Sequence, residues 1–551
     1  MGRGALSVTS PAVRARVPIA RAAGSGPGAQ ASGPPADALS IDLLASGPIS
    51  RERVAVSWRD TAALKALAAA KRAPLPRALS DALLELHQRL GASPASLANL
   101  DRLARGEAVA AVAGQQPAPL GGPLYSLHKT AAAVGLAREV VRRTGAACVP
   151  LFWTHCEDSD FAEIRSATVC DAELQLVDLQ LPDSAQVEGG LVGSIAVEPL
   201  RELGQAAFAA WHGAACATDA QGHWQRALER SRDLGEAMSA LWLGLFGHEG
   251  LVVVDPRLPA FRAAARPIID RYLEHADELH AAARAAGARL ETLGGSRALT
   301  DASLDSFVFE ITDGRRKKIA AADARARGAS AVLSPSVALR AAVQDGVFPT
   351  VAMACGPGEL AYLMQLKEVF AAVGVRAAAP ALRFGATWLP PAAVALADAA
   401  GGDAWEVVAR TDAVLARVAE TRVPGDLQRA VAATRAAVDQ SLARLADCSR
   451  EFDTSLPQMV ESARGKMDFQ VSRLAEGVLG KARGRLDREQ PLWRRLRYVL
   501  QPGDKLQERR LASLDVIARQ GSDVVRGLCD LATEHARATA DGVHQHYLLE
   551  A

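Results

Sequence analysis

The sequence predicts an α/β protein with a mostly parallel sheet, followed by an α-helical C-terminal domain. Three observations carry that expectation. Short apolar runs alternate with helical periodicity across residues 108–390, the pattern of successive βαβ units. Within that span one local plan occurs twice: an apolar strand, a glycine-rich turn, then the start of a helix. After Pro390-Pro391 the strand-like runs stop, and apolar residues recur at heptad-like spacing.

A chain of 551 residues, 49% of them hydrophobic, can bury more than one core. Residues 1–37 are rich in Gly, Ala, Pro and Ser, carry Arg3, Arg14, Arg16 and Arg21, and reach their first acid at Asp37. That composition predicts a disordered tail, with a transit peptide as the alternative. Helical patterns fill Ile41 to Arg105, with Gly91 as a stop.

The first α/β unit opens with Ala108 to Ala113 (AVAAVA), breaks at Gly114-Gln115-Gln116 and passes Gly121-Gly122. A helix follows from Pro123 to about Arg143, with Pro at its first position. A second apolar run, Cys148 to Trp153, empties into Glu157-Asp158-Ser159-Asp160-Phe161-Ala162-Glu163. Ligands of parallel sheets bind outside the carboxyl ends of the strands, and both unusual loops fall there.

Residues 165–200 suit short strands, and Leu251 to Val254 (LVVV) another buried one. Phe307 to Ile311 and Arg315 to Ile319 read as a hairpin on Asp313-Gly314. The strand at 350–354 (TVAMA) runs into Cys355-Gly356-Pro357-Gly358-Glu359 and a helix, and a last core piece lies near Ala378 to Trp388. From Ala404 onward the text is helical. Val431, Val438, Leu445 and Phe452 recur every seven residues, and a break at Leu456-Pro457 suggests an antiparallel hairpin or coiled coil. The expected division is a tail at 1–37, a catalytic core at 38–395 and a helical domain at 396–551.

Three stretches could carry chemistry. Gly114 with Gln115 and Gln116 precedes a helix N-terminus, where backbone N–H groups attract anions. Tyr125, His128 and Lys129 share one face of that helix, and Lys129 could neutralise a phosphate or carboxylate. The bland alternative is a turn followed by a helix with an exposed lysine. Glu157, Asp158, Asp160 and Glu163 crowd four carboxylates into seven residues. A substrate amine, a general-base role or Mg²⁺ would each explain such crowding, as would a solvated loop. Gly356 and Gly358 let backbone approach a ligand closely, and Glu359 sits in a first helical turn, where a carboxylate also favours the helix. Arg340, Gln344 and Asp345 are expected to face the same cleft. The basic stretch 493–510 contains Lys505 and Arg509 and suits either a phosphate or a polar connection.

A net charge of +1 gives no reason to expect nucleic acid. Seven widely spaced cysteines without a C-x-x-C pair suit a reducing compartment rather than a disulfide frame or zinc site. No apolar run reaches eighteen residues, so no membrane span is read.

Four motifs in one order, GQQ-x3-LxGPLYxxHK (114–129), VPxFW-x3-EDxDFxE (149–163), LSPSVALRxxVQDxxxPTVA-x2-GPGELAYxxQLKEVF (333–370) and KLQER (505–509), closely resemble the bacillithiol-biosynthesis cysteine-adding enzymes. The resemblance runs from about Asp37 to near the C-terminus. It implies a cytoplasmic ligase joining cysteine to the amine of glucosaminyl-malate, a Rossmann-like core with connecting insertions, and a coiled coil through which two copies dimerise. Because amide formation from a carboxylate is uphill in water, ATP is the expected activator. On this reading Gly114, Gln115, Gln116 and Lys129 hold phosphate or the sugar-malate, and Glu157, Asp158 and Asp160 bind or deprotonate an amine. The family motif reads E-D-H-D-F, and here Ser159 stands at its histidine position. Serine carries no proton near neutral pH; His155 lies two residues before Glu157. Two other classes fit the same residues: an ATP-using ligase or nucleotidylyltransferase-like enzyme with a different acceptor, and a non-catalytic dimeric scaffold.

Overall fold

Five parallel strands form the centre of the computed structural model, which describes residues 11–21 and 34–551. They are β1 (Val109–Gln115), β2 (Cys148–Thr154), β3 (Val252–Val254), β4 (Thr350–Cys355) and β5 (Ala379–Leu382), in the spatial order β5-β4-β1-β2-β3. Alternate residues of β1 serve opposite faces. Val109, Ala111 and Ala113 join one core, and Ala110 and Val112 join the other. Burial on both faces is why these strands read as unbroken apolar runs. From β1 the chain moves outward through β2 to β3, then returns to the other side of β1 with β4 and β5. The order therefore reverses between β1 and β4, which opens a crevice beyond their carboxyl ends.

The helices that matter below are α1 (Leu124–Thr144), α2 (Val337–Val347), α3 (Pro357–Leu363), α4 (Gly425–Arg450), α5 (Leu456–Glu489) and α6 (Val524–Ala540). α1 is buried along most of its length and ends on Gly145, whose φ of 71° makes the left-handed cap. It packs backbone to backbone against α6: a Cβ on Gly135 would lie 2.5 Å from the Ala532 carbonyl atoms. The hairpin predicted on Asp313-Gly314 is present, Val308–Thr312 pairing with Arg315–Lys318. Positive φ at both turn residues, 51° and 72°, is what the DG pair supplies.

The chain divides into Met1–Trp388 with Asp504–Ala551, and Leu389–Gly503. Residues 504–551 thus group by their contacts with the α/β unit. Their apolar face covers α1 through α6, and strand Gln545–Glu550 pairs antiparallel with Val13–Pro18. That strand also corrects the expectation of a disordered tail over the described part of 1–37; residues 1–10 and 22–33 lie outside the described residues. Basic composition at 1–37 hid an edge strand whose Arg16 pairs with Glu534 at 2.7 Å.

In the second unit α4 and α5 form the expected antiparallel hairpin, with Arg435 bonded to Asp468 at 3.3 Å and Arg422 paired with Glu489. Leu442, Val460, Val471 and Leu486 are buried on it, whereas Phe452 is 89% exposed and Met459 and Leu474 are each 67% exposed. Among the described residues no helix is long and apolar enough to cross a membrane.

Candidate functional site

A cavity of about 580 Å³ opens where the strand order reverses, lined from the ends of β1, β2, β4 and β5. Gln115 and Gln116 close β1, Tyr125 and Lys129 face it from α1, and His155, Asp158 and Glu163 follow β2. Arg340 comes from α2; Gly356, Gly358, Glu359 and Tyr362 come from the turn into α3; Arg383 follows β5; Arg509 closes the rim.

One wall is a continuous hydrogen-bonded chain. The Lys129 ammonium pairs with Glu359 at 2.8 Å and donates to Gln115 Oε1 at 3.0 Å and to the Gly114 carbonyl at 3.2 Å. Gln115 Nε2 donates to Gln116 Oε1 and to the Tyr125 hydroxyl, both at 3.0 Å. Gln116 Nε2 in turn donates to Asp158 Oδ2 at 3.0 Å and Glu163 Oε2 at 2.6 Å. The Gln116 amide therefore holds both carboxylates of the β2 loop, and Asp158 has a second, cationic neighbour in Arg316, whose guanidinium is 3.9 Å from Oδ1. Among the described residues Glu163 has only the neutral amide as a hydrogen-bond partner for its side chain, which leaves its attraction for a cation intact. Burial lowers the Lys129 pKa, against the opposing pull of Glu359. Burial and then Glu163 raise the Tyr125 hydroxyl to about 12.

Arg383 lies over the Tyr125 ring, its guanidinium 5.6 Å from the ring centroid. Arg383 donates to Glu508 through Nη2 at 2.6 Å and Nη1 at 3.2 Å, and to the Phe384 carbonyl at 2.9 Å. Its Nε has no hydrogen-bond partner among the described residues and faces the glycine turn, 3.7 Å from where a Gly356 Cβ would stand. Glu508 also bonds His128 Nδ1 at 3.0 Å. Although burial opposes its charge, Arg383 and His128 hold Glu508 well below the usual carboxylate range. His128 is pushed the other way, below the ordinary imidazole value, chiefly by burial.

Several residues expected at the site lie elsewhere. Glu157 is buried against Arg262, which donates to its Oε1 at 2.7 and 3.0 Å, and does not line the cavity. Asp160 caps the short helix Phe161–Ile164, accepting from Glu163 N at 3.2 Å. His128 is fully enclosed behind the wall, where it orients Glu508. Gln344 donates to Asp345 at 3.1 Å; Asp345 also accepts from Thr350 at 2.6 Å and from the Ala378 N–H at 2.7 Å, tying β4 to β5 at the far end of the sheet. Lys505 is exposed and outside the cavity. Gly114 does not line it either; its lack of a side chain makes room for His155, whose Nε2 would be 2.7 Å from a Cβ there. The α1 N-terminus is covered, since Leu124 N donates to the Leu511 carbonyl at 2.7 Å and Ser513 Oγ to the Gly121 carbonyl at 3.1 Å. That end of the helix offers no open anion site.

Arg383 and Tyr362 were missed because nothing in their local sequence marks them. Arg383 follows a four-residue strand, and its importance depends on Glu508, 125 residues away. Among the described residues no group of three His, Cys, Asp or Glu side chains is gathered to hold a metal.

Residues 55–328 and 323–384 match the family described as "Bacillithiol biosynthesis BshC, N-terminal Rossmann-like domain", and residues 386–539 match its C-terminal coiled-coil domain. A protein of Koribacter versatilis named "Putative cysteine ligase BshC" is 30% identical over 473 residues, 82% of this chain and 87% of the relative. Same-named proteins of Solibacter usitatus and Geobacillus kaustophilus are 29% and 26% identical, covering 78% and 85% of this chain and 84% and 89% of their own lengths. With a parallel-sheet crevice, a helical hairpin unit and these matches spanning nearly the whole chain, the protein belongs to the BshC family, the cysteine ligases of bacillithiol biosynthesis.

Proposed function

We propose that the strand-end cavity joins the carboxylate of cysteine to the amine of glucosaminyl-malate, after ATP has activated that carboxylate as an acyl phosphate or acyl adenylate. The observation that carries this reading is that one cavity gathers both carboxylates and guanidinium groups. Asp158 and Glu163, held by the Gln116 amide, offer carboxylates to an ammonium group. Arg340, Arg509 and the unbonded Nε of Arg383, whose Nη atoms are held by Glu508, offer cationic donors to carboxylate or phosphate oxygens. An amide ligase needs both, because one substrate arrives as a cation at its reacting atom and the other as an anion.

Residues of the cavity bind and orient; ATP supplies the driving force for expelling water. Positioning alone accounts for a large share of such catalysis, since bringing two reactants into a near-attack geometry is worth up to about 7–11 kcal/mol. The exposed apolar residues of the α4–α5 hairpin, Phe452, Met459, Phe469 and Leu474 among them, support association of two copies through that unit. The seven unpaired cysteines support a cytoplasmic setting.

The test is direct. Purified protein supplied with cysteine, glucosaminyl-malate and ATP is expected to yield a product whose mass is that of the two substrates less one water, resolved by liquid chromatography and mass spectrometry. An amide formed only when another amine replaces glucosaminyl-malate would assign a different acceptor. No amide with any amine would remove the ligase reading.

A further inference from the structure

We infer that His155 is the proton acceptor for the attacking amine in this cavity, an inference that rests on the ligase reading above. Of the histidines described, only His155 lines the cavity. It sits directly after β2, at the strand end, and its backbone is fixed on both sides: its N–H donates to the Gln115 carbonyl at 3.0 Å and its carbonyl accepts from Asp158 N at 3.2 Å. The ring lies over Gly114, with Nε2 only 2.7 Å from where a Cβ on that residue would stand. Neither ring nitrogen is bonded to another described residue. His128, His535 and His546, by contrast, are enclosed and hydrogen-bonded to other side chains.

In the empty cavity the surroundings keep the imidazole neutral but also make it a weak base. Lys129 of α1, Arg340 of α2 and Arg316 of strand Arg315–Lys318 all bear on it. With burial as the larger cause, they hold it well below its ordinary value. The carboxylates of the same cavity already have partners: Asp158 has Gln116 and, at 3.9 Å, Arg316; Glu163 has Gln116; Glu359 has Lys129. An anionic substrate entering among those cations offsets their repulsion and strengthens His155 as a base when it is needed. Ser159 is placed differently: its N–H donates to Asp158 Oδ1 at 2.7 Å, and its side chain does not reach the cavity wall.

The step balances as follows. The acceptor ammonium gives one proton to the imidazole, leaving a lone pair on nitrogen. That pair forms the C–N bond to the activated cysteinyl carbon, and the C–O bond to the phosphate or adenylate leaving group breaks with its electron pair. The second nitrogen proton passes to water.

The experiment compares the wild type with His155→Gln and His155→Ala in steady-state amide formation, read by mass spectrometry, alongside calorimetric binding of glucosaminyl-malate. We expect kcat to fall by roughly 10²–10⁴-fold with binding changed less than about twofold. We also expect the acidic limb of the kcat–pH profile to disappear, and free imidazole to restore part of the rate in His155→Ala. Unchanged kcat and pH profile in an active wild-type background would overturn the role of His155 alone. Loss of binding in proportion to rate, with no rescue by imidazole, would make it a positioning residue and overturn the inference as well. A wild type that forms no amide would remove the ligase reading and this inference with it.

Discussion

Replacing Glu508 by alanine tests how Arg383 is held. The carboxylate is 3% exposed and bonded to two buried partners, Arg383 at 2.6 Å and His128 at 3.0 Å. Its loss strands a guanidinium whose remaining hydrogen bond among the described residues is to the Phe384 carbonyl, and it leaves the imidazole Nδ1 without its acceptor. Removing one member of a buried ion pair costs about 3–5 kcal/mol, because the other charge stays desolvated. Replacing both members by apolar residues of similar size costs far less. Glu508→Ala is therefore expected to lose about 3–5 kcal/mol, and Arg383→Met with Glu508→Leu to recover most of that while losing affinity for anions. Urea unfolding followed by tryptophan fluorescence is the assay, since Trp58, Trp153, Trp211, Trp224, Trp242 and Trp388 all lie in the α/β unit. A loss below about 1 kcal/mol, the worth of a solvated surface pair, would refute the buried geometry.

Acid is predicted to unfold the protein through its buried histidines. His87 Nε2 accepts from Val253 N at 3.1 Å while Nδ1 bonds the Leu83 carbonyl at 2.7 Å, and burial lowers its pKa to about 4. The unfolded chain therefore binds the proton first as pH falls below about 6.5, so this contribution is full above 6.5 and is lost between 6.5 and 4, at most about 3 kcal/mol. His87→Gln should flatten the pH dependence of urea midpoints between 7 and 5; an unchanged slope would count against it. Gly135→Ala should destabilise by about 1–3 kcal/mol through its collision with the α6 backbone, and a neutral result in thermal unfolding would show that the helices separate easily. Leu474→Glu on the exposed face of α5 should convert a dimer to a monomer in light scattering, whereas a monomeric wild type would remove the hairpin as a dimer interface.

The sheet was legible because β1, β2 and β4 are buried on both faces and carry no charge, a pattern that few other structures produce. The Asp313-Gly314 turn was legible for an equally local reason. What could not be read were roles settled by partners distant in sequence. The acidic run looked uniform, yet Arg262 claims Glu157, a helix cap claims Asp160, and only Asp158 and Glu163 reach the cavity. The KLQER segment suited either a phosphate site, through Lys505 and Arg509, or a polar connection. In the structure Gln507 pairs both ways with the Trp388 backbone, Glu508 holds Arg383, and Arg509 alone faces the ligand space. The same limit applies to 504–551, since amphipathic periodicity gives a helix a buried face without saying what buries it.

Turnover of Asp158→Asn tests the central claim that this cavity is where the ligase works. The substitution keeps the size of the side chain and an oxygen for the Gln116 amide, but removes the charge offered to the amine. With circular dichroism and urea midpoint matching the wild type, amide formation is predicted to fall by at least about 10²-fold. Wild-type turnover in that variant would place the chemistry elsewhere.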